Sequence, residues 1–192
     1  MPLTRLQAVN RMLTAVGESV ILVEVTGAGD YANCSDILDQ VTQEVLLKDY
    51  KSNTETRTLV PDTNGNIVVP PEVLKVDTVD PYLDVTFRAG RLYDRANATD
   101  VFTAPVTVSV TLGLRFEDLP FSLQLEIVTK AARRYQKFYV GSQTADGFLK
   151  EDEAVATSIA EDAEADTEDY NLLDTYELSW LRRRTFNNGS IN

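Results

Sequence analysis

Apolar residues recur at spacings of three and four at both ends of this chain and alternate with polar residues in its middle. The two periods cannot share one element, because a helix repeats every 3.6 residues and a strand every two. Near the start, Leu6, Val9, Leu13 and Val16 define a first helix stopped by Gly17. The mostly apolar run Val20–Val25 follows and ends in a turn at Gly27-Ala28-Gly29. Ser35 suits an N-cap, and Ile37, Leu38, Val41, Val45 and Leu46 stripe a second helix after it. A third helix is predicted from Pro120, with Phe121, Leu125, Val128, Ala132 and Tyr135 on its apolar face and Gly141 as its end. A fourth is predicted over about 145–168, with Phe148, Leu149, Val155, Ala156, Ile159, Ala160 and Ala163 on its apolar side and an acidic opposite face.

Between the helical segments the chain is rich in Val, Thr and turn residues. Asn64-Gly65 predicts one hairpin, and Ala89-Gly90, between Val85-Thr86-Phe87 and Leu92-Tyr93, predicts a second. Val106, Val108, Val110 and Leu112 alternate along a final strand with one buried face. The fold class expected is α+β: a helical bundle of about four helices, with a small antiparallel β module inserted between helices two and three. The expected division is 1–54 with 118–170 as the bundle, 55–117 as the β module and 171–192 as an extended C-terminal tail.

With 192 residues, 43% hydrophobic and 25% charged, the chain can build one sizeable core, or one core and a smaller satellite. Its net charge of −12 repels nucleic acid and anionic lipid at long range, so sequence-specific DNA binding is not expected. The lone cysteine, Cys34, excludes an intrachain disulfide and reads as a small semi-buried residue. The start, Met1-Pro2-Leu3-Thr4-Arg5, lacks the basic head and apolar run of a signal peptide. A product made in a cytoplasm, without a membrane anchor, is expected.

Histidine is absent from the sequence, which removes Ser-His-Asp and Cys-His catalysis and most zinc sites. Gly27-Ala28-Gly29 lacks the third glycine of a dinucleotide fingerprint, since position 32 is Ala32. Asp62-Thr63-Asn64-Gly65-Asn66 resembles the start of a calcium loop, but its glycine is early and its twelfth position is Val73. Paired carboxylates on helix four read as a solvated face. No catalytic, cofactor-binding or metal-binding residue is therefore assigned, and no cofactor is expected.

Surface residues carry more information. Lys130, Arg133, Arg134 and Lys137 crowd the second half of helix three, where cations oppose the helix dipole. Helix four is acidic, so antiparallel pairing of the two has electrostatic support. Exposed ion pairs of this kind contribute only about 0–1 kcal/mol each. Apolar burial, at about 25 cal/mol per Å², must dominate. In the tail, Trp180 stands beside Arg182, Arg183 and Arg184, residue types favoured as interface anchors. Arg133, Arg134, Trp180, Arg182, Arg183 and Arg184 are the candidate partner-interface residues.

Several segments in register resemble one family. Ala8-Val9-Asn10-Arg11-Met12-Leu13-Thr14-Ala15-Val16-Gly17-Glu18 is similar to the opening of the tail tubular protein A family, the tail adaptors or gatekeepers of autographivirus-type short-tailed phages. Val128-Thr129-Lys130-Ala131-Ala132-Arg133-Arg134, Gly141 and Gly147-Phe148-Leu149-Lys150-Glu151-Asp152-Glu153-Ala154 resemble its helix three–four region. Tyr170-Asn171-Leu172-Leu173-Asp174 resembles its closing motif, and Arg91-Leu92-Tyr93-Asp94-Arg95 fits less specifically. From Trp180 onward no segment matches.

The resemblance implies a non-enzymatic structural virion protein of the tail. It implies a dodecameric ring below the portal protein, facing the tail nozzle (tail tubular protein B) at its other end, with tail fibres docked around the junction. The implied function is to complete the head, help retain DNA and form part of the ejection conduit, through which DNA passes without sequence-specific binding. Three alternatives stand beside it: a head–tail connector of another phage lineage, a virion-associated glycan hydrolase, and an ordinary cytoplasmic α+β oligomer.

Overall fold

The computed structural model describes residues 2–24, 27 and 29–168. Among the described residues, four helices and five strands follow in the order α1, α2, β1 to β5, α3, α4, with one short 3-10 turn before α3. The fold is α+β, with the strands inserted between the second and third helices as the residue periods imply.

Helix α1, Arg5–Ala15, opens on a capping box. The Gln7 amide donates to Thr4 Oγ1 at 3.2 Å, and the Thr4 amide donates to Gln7 Oε1 at 3.0 Å. The helix closes as a Schellman motif around Gly17, whose φ is 82°, with the Glu18 amide reaching back to the Leu13 carbonyl at 3.0 Å. The described residues of the apolar run after it, 20–24, form no strand. Asn10 pins Ile21 by both main-chain groups, at 2.7 and 2.9 Å, while Val20, Leu22 and Val23 stay exposed.

Helix α2 spans Gly29–Leu46 and so begins six residues before the N-cap expected at Ser35. Ser35 is buried inside it, and its Oγ has no hydrogen-bond partner. The reason is the stripe Tyr31, Cys34, Leu38, Val41 and Val45, whose burial outweighs the weak capping preference of one serine.

Strands β1 (Thr54–Leu59), β5 (Val106–Leu112) and β2 (Val73–Thr78) form an antiparallel sheet in that order. The alternating strand β5 takes the centre. Strands β3 (Val85–Arg88) and β4 (Arg91–Asp94) form the hairpin expected at Ala89-Gly90, both of which have positive φ as a type I′ turn requires.

Asn64-Gly65 makes a tight loop but not a hairpin between paired strands. Asp62 Oδ1 accepts the Asn64 and Asn66 amides at 2.8 and 2.9 Å, which uses its carboxylate as a turn former. Strand β1 pairs with β5 instead, and the segment after the loop bonds to β4 through Leu92 N–H and Ile67 O at 2.9 Å. A Cβ on Gly65 would approach Val101 Cγ1 to 2.7 Å, so a larger residue there must displace that side chain and hold a strained φ of 82°.

Helix α3, Phe121–Tyr139, packs against α1, α2 and α4. Its buried face is therefore wider than a single stripe and includes Leu123, Ile127 and Ala131 beside Val128, Ala132 and Tyr135. Phe121, at one end of the expected stripe, is exposed, and Leu125 is half-buried. Gln124 is fully buried and clamps the chain start to α3. It accepts the Leu3 amide at 2.6 Å and donates to the carbonyls of Leu3 and Phe116 at 3.2 and 2.8 Å. Helix α4, Gln143–Glu168, returns along α3 after a short turn at Gly141, whose φ is 68°.

The helices share one apolar cluster built around Met12, Leu38, Ile127 and Ala160, and the strands share another around Ile67, Leu92, Val108 and Val110. Leu114 packs against both. Among the described residues no helix is long and apolar enough to cross a membrane.

Candidate assembly surface

The basic half of α3 is held in place by carboxylates from α2 and α4. Arg133 Nε donates to Asp146 Oδ1 at 2.7 Å and its Nη1 donates to Glu153 Oε2 at 3.0 Å, so one guanidinium bridges two turns of α4. Arg134 points the other way and forms a two-pronged pair with Glu44 of α2 at 2.8 and 2.6 Å. Hydrogen bonds from Arg133, and the charges of Arg133 and Lys137, hold the Asp146 carboxyl below its usual range. Arg134 does the same to Glu44. These acids stay ionised at neutral pH, and both arginines are held above their ordinary values.

One buried carboxyl group, that of Glu126, lies beneath this lattice. Glu126 is fully buried and accepts from Lys130 Nζ at 2.6 Å, with the Tyr50 hydroxyl 3.4 Å away. Burial, and then the Glu126 charge, push the Tyr50 phenol upward, so it remains a neutral donor.

An open groove of about 480 Å³ runs between α2 and α3 at this level. Val41 and Val45, both buried, lie beneath it, and Phe138 beside them is 73% exposed. Five cations and two carboxylates line the rest, and each cation is paired with a carboxylate of its own chain. Two of those cations are loosely tied. Lys48 reaches Glu161 only at 3.8 Å and Lys137 reaches Asp146 only at 3.5 Å, with half of each side chain exposed.

Helix α4 presents a second surface. Its buried line is Ala156 and Ala160, with Leu149 and Ala163 half-buried, a set of mostly small residues that lets α3 approach closely. Phe148, Val155 and Ile159, expected on the packed side, stand instead on the outside at 67%, 61% and 43% exposure. Exposed Glu151, Asp152 and Asp162 flank them. The alanine spacing was the signal that marks the packed face, because only one of two apolar stripes on a helix can meet the same neighbour.

Of the residues singled out in the sequence, the structure brings Arg133 and Arg134 together at the groove, each engaged within the chain. Trp180, Arg182, Arg183 and Arg184 lie outside the described residues. The partner of Arg134, Glu44, was not legible, because it lies 90 residues away in sequence. Among the described residues no group of three or more acidic or cysteine side chains is placed to hold a metal ion.

A family model described as tail tubular protein matches residues 6–170. Tail tubular protein A of Klebsiella phage KP34 is 30% identical over 115 residues, which cover 60% of this chain and 62% of that relative. The match thus spans less than two thirds of the relative's length.

Proposed function

The chain belongs to the tail tubular protein family, a structural component of the phage tail, and from that premise we propose that it is the ring-forming adaptor joining the portal of a short-tailed phage to its tail nozzle. The observation that carries this reading is the extent of the family match. Residues 6–170 take in the strands and essentially all of the four helices, so the whole described fold is engaged rather than one shared fragment.

The surface supports it physically. Large apolar side chains stand exposed on helices (Phe138, Phe148, Val155) and on the β module (Tyr82, Val101), more than a solitary domain gains from leaving in water. They suit a subunit with neighbours on several sides: other copies, the portal, the nozzle and a tail fibre. The net charge of −12 suits a conduit wall that duplex DNA slides past without sticking. On this reading the protein completes the filled head, helps to retain DNA and lines part of the ejection path. The glycan-hydrolase alternative gains nothing from α3 and α4, since Asp146 is tied to arginine with a depressed carboxyl, the opposite of what a general acid needs.

The test is to mix the full chain with the portal protein of the same virus and image the product by electron microscopy. A ring stacked coaxially on the portal is expected. A monomer that shows no association with the portal at high concentration would overturn the adaptor reading.

A further inference from the structure

The groove between α2 and α3 and the outer ridge of α4 are complementary in two respects. The groove offers one exposed apolar side chain, Phe138, over the buried Val41 and Val45, and carries the half-exposed Lys48 and Lys137. The ridge has an apolar crest, Phe148, Val155 and Ile159, flanked by Glu151, Asp152 and Asp162. They also face apart. Glu153 lines the groove, and Val155 is two residues further on, about 160° around the helix from it. One copy therefore cannot close its own ridge onto its own groove.

We propose that the groove receives the α4 ridge of a second copy of this chain. Two different faces of one subunit make a heterologous contact, which repeats from copy to copy and closes into a ring when the rotation allows. Apolar burial of the crest supplies affinity. Lys48 and Lys137, which make only long contacts within the chain, turn toward the neighbour's Asp152 and Asp162 and set register and direction. The inference rests on the ring reading above and assigns its subunit contact.

The experiment is oxidative cross-linking of tails assembled in infected cells from the full chain carrying both Phe138→Cys and Val155→Cys. Both positions are largely exposed, so the substitutions leave the core untouched. A ladder of covalent dimers, trimers and higher species is expected, with none from either single variant. Adding Lys48→Glu and Lys137→Glu should lower the ladder yield about tenfold, and Asp152→Lys with Asp162→Lys should restore it. Tails that hold many copies yet yield only monomer, or that yield dimers from Val155→Cys alone, would overturn the assigned contact and leave the ring standing. Tails that hold a single copy would overturn the ring itself.

Discussion

Asn53 and Leu112 are bonded in both directions. The Leu112 amide donates to the Asn53 carbonyl at 2.7 Å, and the Asn53 side-chain amide donates back to the Leu112 carbonyl at 3.3 Å. The same side chain donates to the Leu46 carbonyl at 2.8 Å and accepts the Tyr50 amide at 3.0 Å. A single fully buried amide thus joins the end of α2 to the central strand of the sheet. Beside it, Asp49 accepts from Thr111 at 2.6 Å and pairs with Lys75, so the helical and β clusters are tied by polar contacts as well as by Leu114.

Replacing Asn53 by Ala removes the donor to the buried Leu46 and Leu112 carbonyls and one of the two acceptors of the Tyr50 amide, which keeps the Lys48 carbonyl at 3.1 Å. We expect a loss of about 2–3 kcal/mol of stability, read as a lower urea midpoint with an unchanged slope. Hydrogen exchange at the Leu112 amide should accelerate in the same variant. An unchanged midpoint would show that Asn53 is a bystander at the junction.

This junction also shows where sequence reading stops. Helix ends at Gly17 and Gly141, the Ala89-Gly90 hairpin and the alternation of β5 are local signals, and all appear as read. The Asn64-Gly65 hairpin failed because the ladder partner of β1 is β5, some fifty residues on, and pairing of that range leaves no mark in the turn. The early start of α2 follows from burial of Tyr31 and Cys34, a tertiary effect that no capping rule contains. The facing of α4 had two self-consistent solutions, and close packing of Ala156 and Ala160 on α3 selected one. The interface roles read for Arg133 and Arg134 rested on charge in the sequence, whereas their partners Asp146, Glu153 and Glu44 are set by the fold.

Acid should weaken this fold through identifiable carboxylates. Asp146, Glu44 and Asp49 are all held below their ordinary values, which are 3.8 for aspartate and 4.5 for glutamate, chiefly by hydrogen bonds from Arg133, Arg134 and Lys75 respectively. A depressed folded value means that the stabilisation is fully present above the unfolded value and is lost as pH falls through the folded one. The α3–α4 contact should therefore hold at neutral pH and loosen as the pH falls below the ordinary aspartate value of 3.8. Asp146→Asn, which keeps the shape but cannot ionise, should reduce the dependence of the urea midpoint on pH across that window. An equally steep dependence in the variant would assign the acid sensitivity to other groups.

Cys34 offers a direct probe of how tightly α2 is held. The thiol is completely buried, and burial pushes its pKa up to about 11, with the Tyr135 hydroxyl only partly offsetting the shift. At pH 8 the thiolate population is on the order of one in a thousand, and the thiolate is the reactive species. The native protein should resist a disulfide reagent such as DTNB for as long as α2 stays packed on α3. It should react fully in urea, with one thiol per chain. The same burial keeps Cys34 out of any disulfide formed between copies, so it need not be replaced before thiols are introduced elsewhere. Rapid stoichiometric labelling of the native protein at pH 8 would mean that α2 opens readily, and that the Tyr31, Cys34 and Leu38 stripe holds the helix less firmly than its burial indicates.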